Sequence, residues 1–212
     1  MSTSVIAIAG IHTGIGKTIA AAVITEALHA HYWKPVQAGT EERDVETVEG
    51  LITDGATRVH PEAVLLQMPA SPHKAAAAEG IEIDHTKFKW PDVAGTLVVE
   101  TAGGLHSPIS AKATMADFLV HYHLPVFLIT QHYLGSINHT LLTIETLRSR
   151  GIRIAGLLVN GAADESSESF IEQYAAIKVV AHIPHFSALS RGAVQVCAAS
   201  IRPALVAAVS AL

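Results

Sequence analysis

Cysteine is almost missing from this chain. One thiol, Cys197, stands among 212 residues, so no internal disulfide can staple the fold. Set between Val196 and Ala198, it reads as a small, buried, inert residue in a reducing compartment. Charge is scarce too. Only 16% of residues are Asp, Glu, Lys or Arg, and 19 acids outnumber 14 bases, for a formal charge of −5. That argues against a broad nucleic-acid surface, while one local basic pocket is still allowed. No apolar run reaches the roughly 20 residues of a membrane span. The opening Met1–Ser4 lacks the basic n-region of a secretory signal. Neither a membrane nor a nucleic acid is therefore expected as partner. Among thirteen histidines, His29/His31 and His121/His123 are the close pairs. Neither has a Cys or carboxylate at zinc spacing, and H-E-x-x-H is absent, so no zinc site is expected.

What is present specifies a packed core. Hydrophobic residues make up 50% of the chain, which excludes disorder. The length predicts one domain, 1–212, burying roughly 70% of its unfolded surface. Apolar runs alternate with helix-like segments. Strands are predicted over Val5–Ala9, Tyr32–Val36, Val64–Leu66, Thr96–Glu100, Pro125–Thr130, Ile154–Asn160 and Val179–Ile183. Several are continuous rather than alternating, the pattern of strands buried on both faces of a parallel sheet. Helices are predicted over Lys17–Ala30, Arg43–Thr53, Met115–His121, Ile137–Arg150, Ser166–Ile177 and Pro203–Ala211, with a short one around Lys74–Glu79. This rhythm predicts a doubly wound α/β fold, with a mostly parallel sheet and helices on both faces. Trp33 and Trp90 read as packing residues.

The strongest local signal runs from Gly10 to Thr18: Gly-Ile-His-Thr-Gly-Ile-Gly-Lys-Thr. It follows a predicted strand and opens a helix, the context of a P-loop. Gly14, Ile15 and Gly16 can turn backbone amides toward phosphate oxygens. Lys17 can reach the β- and γ-phosphates, and the Thr18 hydroxyl suits Mg²⁺. The spacing is unusual: Gly10 and Gly16 are six apart instead of five, with Ile11 where the first glycine is normally found. No N-K-x-D motif follows, as a signalling GTPase would need. The second lysine of partition-type ATPases, five residues before Lys17, is His12 here.

Other segments cluster around this cradle. Lys34 ends the second strand, so it faces the ligand crevice of an open parallel sheet. Asp44 follows soon after, and Glu100 ends another strand, giving two carboxylates suited to Mg²⁺. An Asp at a helix start is otherwise commonly an N-cap. Gly103 and Gly104 permit close backbone approach. Leu134–His139 opens a helix whose free amides, at Gly135, Ser136, Ile137 and Asn138, can bind a carboxylate. Asn160 ends its strand with an amide suited to a purine edge.

In this order, the six-spaced P-loop, K-P-V-x-x-G, S-P-H, E-x-A-G-G, L-G-x-I-N-H and the Val-Asn strand resemble the dethiobiotin synthetases. These are the ATP-dependent ring-closing enzymes of biotin synthesis, and the match runs from Gly10 to about Pro184. The resemblance implies a P-loop NTPase-like fold and a homodimer with its active site at the interface; the absent targeting signals and the need for ATP point to the cytoplasm. It implies that 7,8-diaminopelargonic acid, CO₂ and MgATP become dethiobiotin, ADP and phosphate. The intermediates would be a carbamate and a carbamic–phosphoric anhydride. By resemblance, Thr13, Lys17 and Lys34 contact the carbamate or phosphoryl oxygens. Thr18, Asp44 and Glu100 form the Mg²⁺ set, and Asn160 with Ile183 and Pro184 forms the adenine pocket. Lys34, Gly39, Thr40 and Gly103 lie against substrate. Gly135, Ser136, Ile137 and Asn138 capture the substrate carboxylate from the partner subunit. This chain departs from the pattern at Ile11, His12, Ala38 and Thr101. The alternatives are a nucleotide-dependent switch or partition-type ATPase without a small substrate, and a nucleotide-binding module without activity.

Overall fold

The computed structural model describes residues 4–212. Residues 1–3, part of the Met1–Ser4 opening, lie outside the described residues. The strands are β1 (Ser4–Gly10), β2 (His31–Trp33), β3 (Val36–Ala38), β4 (Val59–His60), β5 (Val64–Leu66), β6 (Thr96–Gly104), β7 (Val126–Thr130), β8 (Ile154–Asn160) and β9 (Val179–Ile183). The helices are α1 (Lys17–Ala27), α2 (Asp44–Leu51), α3 (Gly55–Arg58), α4 (Pro72–Glu79), α5 (Met115–His121), α6 (Ser136–Ser149), α7 (Glu165–Ala175) and α8 (Arg191–Ser210).

Seven strands form one sheet in the order β4-β2-β6-β1-β7-β8-β9, each pairing parallel to its neighbour. Every residue of β7 is buried, as the continuous apolar run predicts for a strand covered on both faces. Helices α1, α2 and α8 pack on one another, and α6 packs on α7. From β1 the chain crosses outward to β2 on one side of the sheet. From β7 it crosses to β8 on the other. The reversal occurs beside β1, and open parallel sheets place their ligand crevice at such a reversal, beyond the carboxyl ends of the strands. The P-loop follows β1 there.

Two sequence expectations are corrected. The predicted strand Tyr32–Val36 is broken in two. Pro35 has no N–H to donate, so β2 stops at Trp33, and β3 pairs with β5 in a separate two-stranded parallel sheet. The closing helix does not begin at Pro203: α8 starts at Arg191, capped by Ser190, whose Oγ accepts from Ala193 N. Pro203 is tolerated inside it because Ala199, whose carbonyl loses its partner, lies on the solvent side. By length and composition α8 is long and apolar enough to cross a membrane. Its face of Val194, Cys197, Ala198, Ile201 and Leu205 is instead buried in the core. Trp33 and Trp90 do pack together, their rings 4.8 Å apart.

Candidate active site

The cradle is built by backbone geometry that requires glycine. Gly14 and Gly16 hold φ of +82° and +79°, a region that L side chains rarely adopt. Gly16 is the left-handed N-cap of α1 and no side chain caps that end. The first amides of the helix are therefore free to meet an anion. A Cβ on Gly16 would lie 2.2 Å from Asn160 Nδ2, and Asn160 Nδ2 itself donates to Ile15 O at 2.7 Å. Asn160 thus braces the loop as well as ending β8. Its register partner on β9 is Ile183, which sets Ile183 beside it. Ile11, at the unexpected position, buries its side chain against the core.

Lys17 and Lys34 are both buried and lie close enough to interact electrostatically. Burial pulls the Lys17 ammonium below its usual pKa; Glu100 opposes that fall and Lys34 adds to it. Burial lowers Lys34 as well, opposed by Glu100 and Glu62. Lys17 Nζ donates to His12 O at 3.3 Å, and Lys34 Nζ ion-pairs with Asp44 Oδ2.

Thr18, Asp44 and Glu100 converge although 82 residues separate the first from the last. Thr18 Oγ1 lies 2.9 Å from Asp44 Oδ1 and 3.1 Å from Glu100 Oε1. A hydroxyl has one proton, so it cannot satisfy both carboxylates fully. The surplus of hard oxygen donors fits a divalent cation. Asp44 is the first residue of α2 and not its N-cap, which is Arg43. Its carboxylate is turned to Thr18 and Lys34, so the plain capping reading of Asp44 is set aside.

The other predicted residues stand as follows. A Cβ on Gly103 would come within 3.4 Å of Thr13 Oγ1, which fixes Thr13 beside the end of β6. Gly39 and Thr40 line a separate cavity of about 260 Å³ with Gln37, Glu41, Glu42, Gln67 and Pro69. Gly135, with φ +98°, is the left-handed N-cap of α6 without a side-chain cap, followed by Ser136, Ile137 and Asn138; the expectation of a free Ser136 amide is corrected, since Ser136 N donates to Tyr133 O at 2.9 Å in the turn that enters the helix. That helix start approaches the P-loop through rings. His12 meets Tyr133 edge-on at 5.2 Å, and Tyr133 O–H lies 2.7 Å from His139 Nδ1. Between the P-loop and α6 is a cavity of about 450 Å³, lined in part by Ile11, His12, Thr13, Leu142 and Thr143. Pro184 follows Ile183 at the end of β9.

Sequence reasoning missed Tyr32, which donates to Glu100 Oε2 at 2.8 Å, and Ser107, whose Oγ accepts Gly104 N at 2.8 Å. Tyr32 had a weak signal, since it stands two residues before Lys34 on a strand leading to the crevice. Ser107 had none.

Residues 4–193 match the family described as an AAA domain. The ATP-dependent dethiobiotin synthetase of Cytophaga hutchinsonii is 44% identical over 177 residues, 83% of this chain and 86% of the relative. That of Nitrobacter hamburgensis is 41% identical over 192 residues, 90% of each chain. Among solved structures, pNOB8 ParA bound to nonspecific DNA gives a TM-score of 0.61 over 99% of both chains, at 11% identity. At that identity the likeness speaks for the fold alone.

Proposed function

From the premise that this chain belongs to the ATP-dependent dethiobiotin synthetases, we propose how its residues, 1–212 acting as one P-loop α/β unit, divide the work of closing a ureido ring. The observation that carries the assignment is the meeting of Thr18, Asp44 and Glu100 beside two buried lysines.

One amine of 7,8-diaminopelargonic acid attacks CO₂ and loses a proton, giving a carbamate. A carbamate oxygen then attacks the γ-phosphorus of ATP, and the bond to the bridging oxygen breaks as ADP leaves. The second amine attacks the carbonyl carbon of the mixed anhydride. The C–O bond breaks, phosphate departs with the electron pair, and the amine gives up its proton. Each step gathers negative charge and none needs a protein nucleophile, so fixed positive charge and amide dipoles carry the catalysis. Lys17 and the amides of Gly14, Ile15 and Gly16 hold the phosphates. Lys34 and Thr13 face the carbamate and phosphoryl oxygens from the opposite side, with Gly39, Thr40 and Gly103 against the substrate. Thr18, Asp44 and Glu100 would hold Mg²⁺, which would supply neutralisation of the phosphate charge. Asn160 keeps one N–H and its carbonyl for adenine, beside Ile183 and Pro184.

We place the substrate carboxylate on the uncapped start of α6, over Gly135, Ser136, Ile137 and Asn138, supplied by a second copy of the chain. Supporting this, Leu134 stands fully exposed at that turn, and Leu142 is half exposed along α6. Leu142 lines the cavity beside the P-loop, and both leucines are apolar surface that a second copy could cover. We place the reaction in the cytoplasm, where ATP is held.

The test is product detection by mass spectrometry with 7,8-diaminopelargonate, bicarbonate and MgATP. The expected result is dethiobiotin with equimolar ADP and phosphate. ATP hydrolysis without that product would overturn the assignment in favour of a nucleotide-dependent switch.

A further inference from the structure

We propose that Arg43 and Glu62 are positioning residues: a forked ion pair, buried on its Glu62 side and anchored on the edge of the sheet, that aims Asp44 at Thr18. The inference rests on the reading of Asp44 as part of the cation set.

Glu62 lies two residues beyond β4, the edge strand of the main sheet. The chain there is fixed from both sides. Trp33 Nε1 donates to Pro61 O at 3.0 Å, while Ala63 N and Val64 N both donate to Pro35 O at 2.9 Å. The Glu62 side chain is only 2% exposed. Its two oxygens take Arg43 Nε at 3.0 Å and Arg43 Nη2 at 2.5 Å, a bidentate pair with a fixed plane. Arg43 Nη1 reaches Glu46 Oε1 at 2.9 Å, in the first turn of α2. Arg43 is the N-cap of α2, yet it makes no side-chain cap bond to its own helix. Its guanidinium instead ties the helix start to Glu46 on one side and to the sheet edge on the other.

The next residue is Asp44. Its carboxylate meets Thr18 and Lys34, so the Arg43–Asp44 step is held at both ends. A buried ion pair gains little stability over an apolar pair of the same shape, because desolvation offsets the attraction. What the bidentate geometry supplies is direction. Losing a partner bonded directly to a ligand commonly weakens metal binding 10- to 100-fold, and a fork that acts through the helix start is expected at the lower end of that range.

The test uses the full-length protein and Mn²⁺ as a paramagnetic probe, titrated by electron paramagnetic resonance in the presence of ATP. Glu62→Gln should weaken Mn²⁺ binding about 10-fold. It should also speed amide hydrogen exchange over residues 40–48 in the ligand-free protein. At saturating Mg²⁺, kcat should return to within about twofold of the parent, because the defect lies in holding the ligand and not in the chemistry. In an Asp44→Asn background the same change should add less than about twofold, as coupled residues do. Should Glu62→Gln fail to fold by circular dichroism, Arg43→Lys replaces it: the charge stays, the fork is lost, and the same weakening is expected. Unchanged Mn²⁺ affinity in the Glu62 or Arg43 variant, with Asp44→Asn impaired, overturns the positioning role alone. So does full multiplication of the two defects. If Asp44→Asn itself binds Mn²⁺ like the parent, the cation reading of Asp44 falls and takes this inference with it.

Discussion

Tyr32 donates its hydroxyl to Glu100 Oε2 at 2.8 Å, and both side chains are sealed from water. The bond fixes one carboxylate oxygen and leaves the other, Oε1, 3.1 Å from Thr18 Oγ1. Burial, reinforced by the Glu100 charge, pushes the Tyr32 phenol well above its usual pKa of 10.0, so it stays a donor throughout the physiological range. Tyr32→Phe strands a buried acceptor, which costs about 1–3 kcal/mol. Urea unfolding should show a loss of that size, with the fold retained. An unchanged midpoint would mean that the bond contributes nothing net.

Lys17 is a charge buried without an ion pair among the described residues. Its folded pKa lies below the unfolded value of 10.5. Between the folded pKa and 10.5 the unfolded chain binds more protons, so stability rises with pH across that window. Below the folded pKa the full penalty is present. Lys17→Met should abolish ring closure, leave the apo protein at least as stable at pH 7, and flatten part of the alkaline rise. Lys34 keeps its own share. Urea titrations from pH 7 to 10 beside a product assay test this. Near-parent turnover would remove Lys17 from the phosphate site.

Gly16→Ala meets two obstacles. The φ of +79° costs roughly 1–2 kcal/mol for an L side chain, and its Cβ would lie 2.2 Å from Asn160 Nδ2. Asn160 must swing away and give up Ile15 O. Nucleotide affinity, read by calorimetry, should fall at least about 10-fold. Adding Asn160→Ala relieves the collision but not the backbone strain, so it should not restore binding. Parent-like affinity in the single variant would show that the loop conformation is not what binds nucleotide.

Glu100→Gln replaces a hard anionic ligand with a neutral amide. The Mg²⁺ concentration for half-maximal rate should rise and kcat should fall. Asp44→Asn should shift the same curve in the same direction. A superimposable Mg²⁺ titration would take the altered residue out of the cation set.

Shared sites predict rescue between two dead subunits. One copy carries Lys17→Ala, and the other carries Gly135→Trp at the uncapped start of α6. Each mixed dimer then has one doubly damaged site and one intact site, so activity should return on mixing. Mixed dimers confirmed by native mass spectrometry but without activity would place the carboxylate contact within a single chain.

The parts whose signal is local were legible before any fold was known. The apolar runs of β5, β8 and β9 carry the bounds observed, and β8, buried along its last five residues, leaves no alternation to misread. The glycines of the P-loop announced a backbone with positive φ, and Gly16 and Lys17 stand at the start of α1 as that pattern requires. Tertiary structure alone decided what each polar side chain does. Pro35 looked like the interior of a strand and proved to be a break, since hydrogen-bond partners are chosen across strands and not along them. Asp44 had two readings with identical local sequence, and only the approach of Thr18 and Lys34 selected one. Tyr32, Arg43 and Glu62 carried no motif, because their roles depend on partners 68 and 19 residues away along the chain. Contacts of that separation are set by the order of strands in the sheet, a property of the folded chain as a whole.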